Sequence, residues 1–441
     1  MSSPKLEKSI SLFQAIFYGV GVIVGAGIYA LIGVAAGITG PALWVSVVIV
    51  GLIASLTAFS YSKLVRLFPK EAAESLYVLN SFKRKDFAFF IGFLSLVTCI
   101  FSVAAVSWGF TAYFKLFFSF EPLLVCIGLI VLLSLINFMG IQKSIIVNNA
   151  MAFLTIIGLF LIIIFGLRFV GSVDLLTGFN GQHIWENSFS LIPSLFSAAA
   201  LIFFAYLGFE ELANVTEEMR NAKRDAPKAI LFSLLIATVL YVAISIVSVS
   251  VIAPADLASA VNPNIPLTQG PLALVAEKAI SPGFGFWLSI FALCATSSTI
   301  IALLNVASRI LYGMSCEGLM PRVFSRINPK TKTPFVAIFF VLAVSIVFTL
   351  VKNIELLGNL TTVGTFLLFF SVNASLVELC YRQNKKISWL ALLGAVFCLF
   401  MFLTQYWEPI EFFGITLPLV VFAGIVFCLA FPIYYFFSRK K

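Results

Sequence analysis

The chain has 441 residues, of which 61% are hydrophobic and 11% charged, with a mean hydropathy of +1.08 and a formal net charge of +9. A soluble domain carries roughly 25% charged residues, so this pool cannot build a water-exposed surface, and the class is polytopic membrane protein. Nucleic acid is excluded as a partner because the basic residues are dispersed through short loops instead of forming one patch.

Apolar runs able to cross ~30 Å of hydrocarbon recur along the chain and predict helices, since barrel strands would alternate over about 10 residues. Twelve spans are expected, over roughly 11–36, 41–66, 87–118, 121–140, 146–171, 191–214, 228–253, 283–314, 334–351, 354–381, 388–405 and 414–437. Pro41, Pro69, Pro193, Pro227, Pro254, Pro282, Pro321 and Pro334 cluster near these boundaries, as helix-limiting residues should. With the N-terminus inside, the external side keeps only Lys115, Arg168, Lys278 and Lys352. The other bases, from Lys5 through Arg309 to Lys441, lie in or beside cytoplasmic loops. Both termini are therefore expected in the cytoplasm, of a cell membrane protein with no removable signal peptide. The scattered cysteines form no CxxC pair and read as small core residues.

Five crossings is an odd number, so a second group of five helices begins on the side opposite the first. The expected division is a cytoplasmic N-terminus (1–10), a first five-helix repeat (11–171), a second, inverted repeat (191–381), helices 11 and 12 (388–437) and a cytoplasmic C-terminus (438–441). Helices 1 and 6 are then equivalent, and each carries an interruption: Gly19-Val-Gly-Val-Ile-Val-Gly25-Ala-Gly27 in one and Phe203-Phe-Ala-Tyr-Leu-Gly208 in the other. Glycine weakens a helix by roughly 1 kcal/mol relative to alanine. Opened backbone at membrane depth is tolerated only where protein buries it or it lines a polar cavity, and a matched pair points to the substrate site of a secondary transporter. The competing explanation is close helix packing, as in a GxxxG seam.

Where helix 1 opens at Gly25-Ala26-Gly27, freed N–H groups and the positive end of the next half-helix suit a carboxylate. Where helix 6 opens near Phe204-Ala205-Tyr206-Leu207, freed carbonyls suit an ammonium group. Together they suit a zwitterionic amino acid. Gly19-x-Gly21 is not a dinucleotide fingerprint, because no Asp or Glu stands between Glu7 and Glu71. An enzyme is excluded as well: the only histidine, His183, falls in an external loop, and neither a catalytic nor a metal-ligand set is present.

The strings GVGVIVGAGIYALIGVAAGITGPA, AFSYSKLVRLFPK and FFAYLGFEELANVTEEMRNAKRDAPKAI, supported by SCEGLMP and TTVGTFLLF, resemble the amino acid–polyamine–organocation transporter superfamily, with the flavour of prokaryotic relatives of cationic amino acid transporters. The resemblance covers roughly residues 10–380. It implies that Gly25, Ala26 and Gly27 offer N–H groups to the substrate carboxylate, and that the carbonyls of Ile23, Phe204, Ala205 and Leu207 take the α-amino group. Phe204 falls where the family has an aromatic gate, and Glu210 where it has a carboxylate beyond the break. Proton-coupled members commonly place a lysine in helix 5, where this chain has Thr155. Coupling candidates are therefore Glu210, Thr155, Ser297 and Ser298, the ion being proton or sodium, with no cofactor. The stretch Glu217, Glu218, Arg220, Lys223, Arg224, Asp225 reads as a solvated cytoplasmic loop. The expected function is secondary active amino acid transport by alternating access. Polyamine or organocation transport, amino acid exchange and a non-transporting sensor are the alternatives.

Overall fold

A computed structural model describes residues 6–178, 183, 188–260, 270–405, 409–412 and 415–418. In chain order its helices are α1 (Leu12–Ile23), α2 (Ala26–Thr39), α3 (Leu43–Leu67), α4 (Ala73–Phe82), α5 (Lys85–Phe114), α6 (Pro122–Phe138), α7 (Ile141–Gly166), α8 (Ser188–Phe203), α9 (Ala222–Val251), α10 (Pro254–Ser259), α11 (Pro271–Ala279), α12 (Phe284–Cys316), α13 (Phe335–Thr349), α14 (Ile354–Asn384) and α15 (Trp389–Gln405). Among the described residues, eight helical stretches are long and apolar enough to cross a membrane, and three shorter apolar helices accompany them. The expected twelfth span, 414–437, starts differently: Ile415–Pro418 is a strand, β2, paired antiparallel with β1 (Pro409–Phe412). Ile415 and Thr416 are β-branched and Pro418 has no N–H, which favours extended backbone there. The remainder of that span lies outside the described residues.

The first span is two helices. Ser11 and Gln14 form a reciprocal capping box that starts α1, which runs unbroken past Gly19 and Gly21. Those two glycines serve packing. A Cβ on Gly19 would sit 2.6 Å from Leu212 Cδ1, and one on Gly21 2.5 Å from Ala152 Cβ. Opening waits until Val24. The sixth span likewise ends as an α-helix at Phe203, continues as a 3-10 turn over Phe204–Tyr206, and resumes after Gly208 as a 3-10 helix, Glu210–Glu218. α1 is enclosed by α7, α9 and α12, while α3 lies along α9 and α5 along α12.

That resumed 3-10 helix corrects the expectation of a solvated loop at two positions, while Arg220, Lys223 and Arg224 are exposed as expected. Glu218 is fully buried and Asp225 nearly so. Arg309, expected beside an aqueous loop, is fully buried on α12 and donates through Nε and Nη2 to the Glu218 carboxylate, both at 3.3 Å. Its Nη1 donates to Asn137 Oδ1 at 2.9 Å. The N-terminal segment closes over the pair: the N–H groups of Ser9 and Ile10 both donate to the Glu218 carbonyl, and that of Arg220 to the Ile10 carbonyl. Glu218 is buried because the 3-10 helix carries the span further than the apolar run alone suggests, while those three bases are exposed.

Removing one partner of a buried ion pair strands the other charge, at a cost of about 3–5 kcal/mol, whereas replacing both is close to neutral. Arg309→Met is therefore expected to lower the thermal unfolding midpoint of the detergent-purified protein sharply, and Glu218→Met combined with Arg309→Met to recover most of the loss. Equal destabilisation by the single and double variants would contradict this account.

Candidate substrate site

At the first break Val24 adopts φ −79°, ψ 61°, an inverse γ-turn, and the Gly25 N–H turns back to the Ile23 carbonyl at 2.8 Å. This differs from the expectation that Gly25 presents a free N–H, and the turn geometry is the reason. α2 then opens with Ala26 and Gly27, whose N–H groups have no intrahelical partner by position, and no side chain caps this end. At the second break Leu207 is extended and Gly208 takes φ +124°, which an L side chain rarely adopts. A Cβ there would also meet Val22 Cγ1 at 2.7 Å, and one on Gly27 would meet Ala205 Cα at 2.9 Å. The two breaks press directly on each other.

One side chain joins them. Tyr241, fully buried on α9, places its hydroxyl 2.7 Å from the Ile23 carbonyl and 2.9 Å from that of Ala205. A phenol has a single hydrogen, so it donates to one carbonyl at a time. The Phe204 carbonyl accepts from the Leu207 N–H at 3.3 Å, while the Leu207 carbonyl accepts no hydrogen bond among the described residues.

The breaks face a cavity with about 580 Å³ of empty space, counting its mouth. Ile23, Gly25, Gly27, Phe204, Ala205, Leu207 and Glu210 line it, as do Ser102, Thr361 and Thr365. Thr98, Val106, Glu211, Thr299 and Leu303 complete most of the wall. Tyr206 points elsewhere and donates to the Val47 carbonyl at 3.0 Å. Glu210 Oε2 accepts the Gly208 N–H at 2.8 Å, so this carboxylate caps freed backbone in the second break.

Over residues 10–437 the chain matches the family of amino acid permeases. It belongs to that family. As a member of the amino acid–polyamine–organocation superfamily it is a multi-pass membrane transporter of amino acids, not an enzyme. It is 28% identical to the branched-chain amino acid permease BcaP of Bacillus subtilis (strain 168), across 99% of this chain and 94% of that protein. It is 27% identical to the methylthioribose transporter of the same organism, across 86% and 82%. A third relative is the vacuolar cationic amino acid transporter 4 of Arabidopsis thaliana, 27% identical across 86% of this chain and 64% of that protein.

The remaining coupling candidates of this permease stand apart from the cavity wall. Thr155 on α7 donates to the Met151 carbonyl at 3.0 Å, and its hydroxyl lies 3.5 Å from that of Phe291. Ser298 lies 2.9 Å from the Ala295 carbonyl and 3.2 Å from the Gly21 carbonyl on α1. Ser297 is buried nearby on α12. Two groups escaped sequence reasoning. Tyr241 is one tyrosine in an otherwise apolar span, with nothing local to mark it. Glu74 lies on the short helix α4, nearly fully buried, and accepts from Tyr61, Ser95 and Asn214. Burial pushes the Glu74 carboxyl above the usual carboxylate range, and these hydrogen bonds pull it partly back.

Tyr241→Phe leaves one break carbonyl without its donor inside the protein, a loss of about 1–3 kcal/mol. The variant is expected to unfold at lower temperature in detergent and to gain less stabilisation from added amino acid. Thermal scans with and without substrate measure both, and unchanged scans would refute the bridging role.

Proposed function

We propose that this permease is a secondary active amino acid transporter working by alternating access, with the substrate held by backbone groups of its two breaks. The carboxylate lies at the N-terminus of α2, on the N–H groups of Ala26 and Gly27. The α-amino group lies against carbonyls of Ile23, Phe204, Ala205 and Leu207, with Phe204 as the gate. The observation that carries this reading is the pairing of the breaks: a helix N-terminus and free carbonyl oxygen share one cavity wall. Such a site answers both charges of a zwitterion with peptide dipoles alone. The relative named as a branched-chain permease fits a side-chain pocket walled by Val106, Leu303 and threonines.

The wider architecture in this reading is a five-plus-five inverted repeat followed by two further helices, in a cell membrane with both termini cytoplasmic. Support comes from packing between helices of equivalent rank: α3 with α9, α5 with α12, and α6 with α13. Short helices also interrupt the equivalent connections, α4 in the first half and α11 in the second. Rocking one group of helices against the other would open the site to each side in turn.

Counterflow of a ¹⁴C-labelled amino acid mixture into proteoliposomes tests the function. Uptake should be blocked by excess unlabelled substrate, but neither by amino acid methyl esters, which lack the carboxylate, nor by N-acetyl amino acids, which lack the ammonium. Competition by diamines would favour the polyamine alternative. Gly25→Leu should abolish counterflow with membrane insertion intact, since even its Cβ would fall 2.3 Å from Thr299 Oγ1 beside the cavity. Normal transport by that variant would overturn the placement.

A further inference from the structure

Three buried carboxylates lie on the α4 side of the second break. Glu210 and Glu211 line the cavity, each only 7% exposed, and Glu74 stands within electrostatic reach of both. Among the described residues no Lys, Arg or His lines that cavity, and the buried guanidinium of Arg309 is committed to Glu218. An ionised carboxylate in such surroundings costs several kcal/mol, so three together must be relieved by a proton or a cation. The hydrogen bonds divide the roles. Glu74 receives three neutral donors, Tyr61, Asn214 and Ser95, which favour its charged form. Glu210 receives the Gly208 N–H. Among the described residues the Glu211 carboxylate receives only the Cys99 thiol, at 3.5 Å, while bordering the substrate space. The fully buried Tyr77 hydroxyl, which also feels the Glu74 charge, has no hydrogen-bond partner among the described residues.

We propose that Glu211 carries a proton that travels with the amino acid, Glu74 being the fixed neighbouring charge that keeps it there; this rests on the transport reading above. Glu211 binds one proton from the side to which the cavity is open, which discharges that wall before the substrate enters. After the site turns over, the same proton leaves from Glu211 with the substrate, so one proton crosses with each amino acid. The titratable groups facing Glu211 are Glu210 on its own segment, Glu74 from α4, Cys99 from α5 and Tyr18 from α1. Tyr61 and Tyr77 surround Glu74, and the Arg309–Glu218 pair lies beyond Tyr18.

The test uses full-length protein in proteoliposomes clamped at zero membrane potential, with the labelled amino acid mixture as probe. A gradient of one pH unit, acid outside, should raise wild-type accumulation about tenfold, and trapped pyranine should report lumenal acidification with uptake. Glu211→Gln should lose the gradient-driven accumulation together with the pyranine signal. Glu74→Gln removes a like charge that strengthens proton binding at Glu211, so the fall of its uptake on the alkaline side of the profile should move about one pH unit to lower pH. Wild-type counterflow without any response to the pH gradient would overturn the proton assignment and leave the transport reading standing. Gradient-driven accumulation surviving in Glu211→Gln, or an unmoved profile in Glu74→Gln, would overturn the roles given to those residues. Absence of wild-type counterflow would sink both readings. Should Glu211→Gln fail to fold, the pyranine signal of the wild type still decides.

Discussion

Peptide groups that leave helical geometry inside an apolar medium must find partners within the protein, and this permease meets that constraint by pressing two breaks together. The Gly208 backbone lies where a Cβ would strike Val22, and Gly27 lies equally close to Ala205. The Tyr241 phenol then reaches a carbonyl from each break. Neither segment is satisfied alone. The glycines are required because backbone approaches backbone, and α9 must run beside α1 because its tyrosine serves both.

Much of this was readable from residue type. Glycines inside apolar runs locate both interruptions, and the positions singled out around Gly25 and Phe204 fall on one cavity wall. Two kinds of information were not readable. Gly19 and Gly21 look like further invitations to open, yet they stay in continuous α1, because their role depends on how close Leu212 and Ala152 come from other helices. The polar run after Glu210 looks like a solvated loop. Its Glu218 is buried because Arg309, 91 residues further along, supplies a charge for it. Local polarity sets the cost of burial, while distant partners decide whether burial is tolerated.

The buried charges follow the same logic as the buried peptide groups. At Glu218 the carboxylate meets a guanidinium and the contact is static, sealed by the backbone of Ser9 and Ile10. Around Glu74, Glu210 and Glu211 only neutral donors are found among the described residues, and in the proposed cycle relief comes from a proton that arrives and leaves. One carboxylate locks the fold and the others remain responsive. The difference lies in the company each keeps, since the residue type is the same.

The single hydrogen of Tyr241 gives the breaks a comparable responsiveness. Ile23 already accepts the Gly25 N–H, so it keeps a partner when the phenol turns toward Ala205. When the phenol turns back to Ile23, the Ala205 carbonyl is left with an open lone pair. In the proposed binding mode an arriving ammonium takes up that lone pair together with the vacant Leu207 carbonyl. The phenol need only choose the other carbonyl, and neither of the two carbonyls it serves is stranded in the empty or the loaded site. A side chain bearing two or more hydrogens would hold both carbonyls permanently and tie the breaks shut, whereas one bearing none would leave the empty site unsatisfied. A phenol, with one donor and a rigid ring to aim it, is suited to a site that must fill and empty repeatedly.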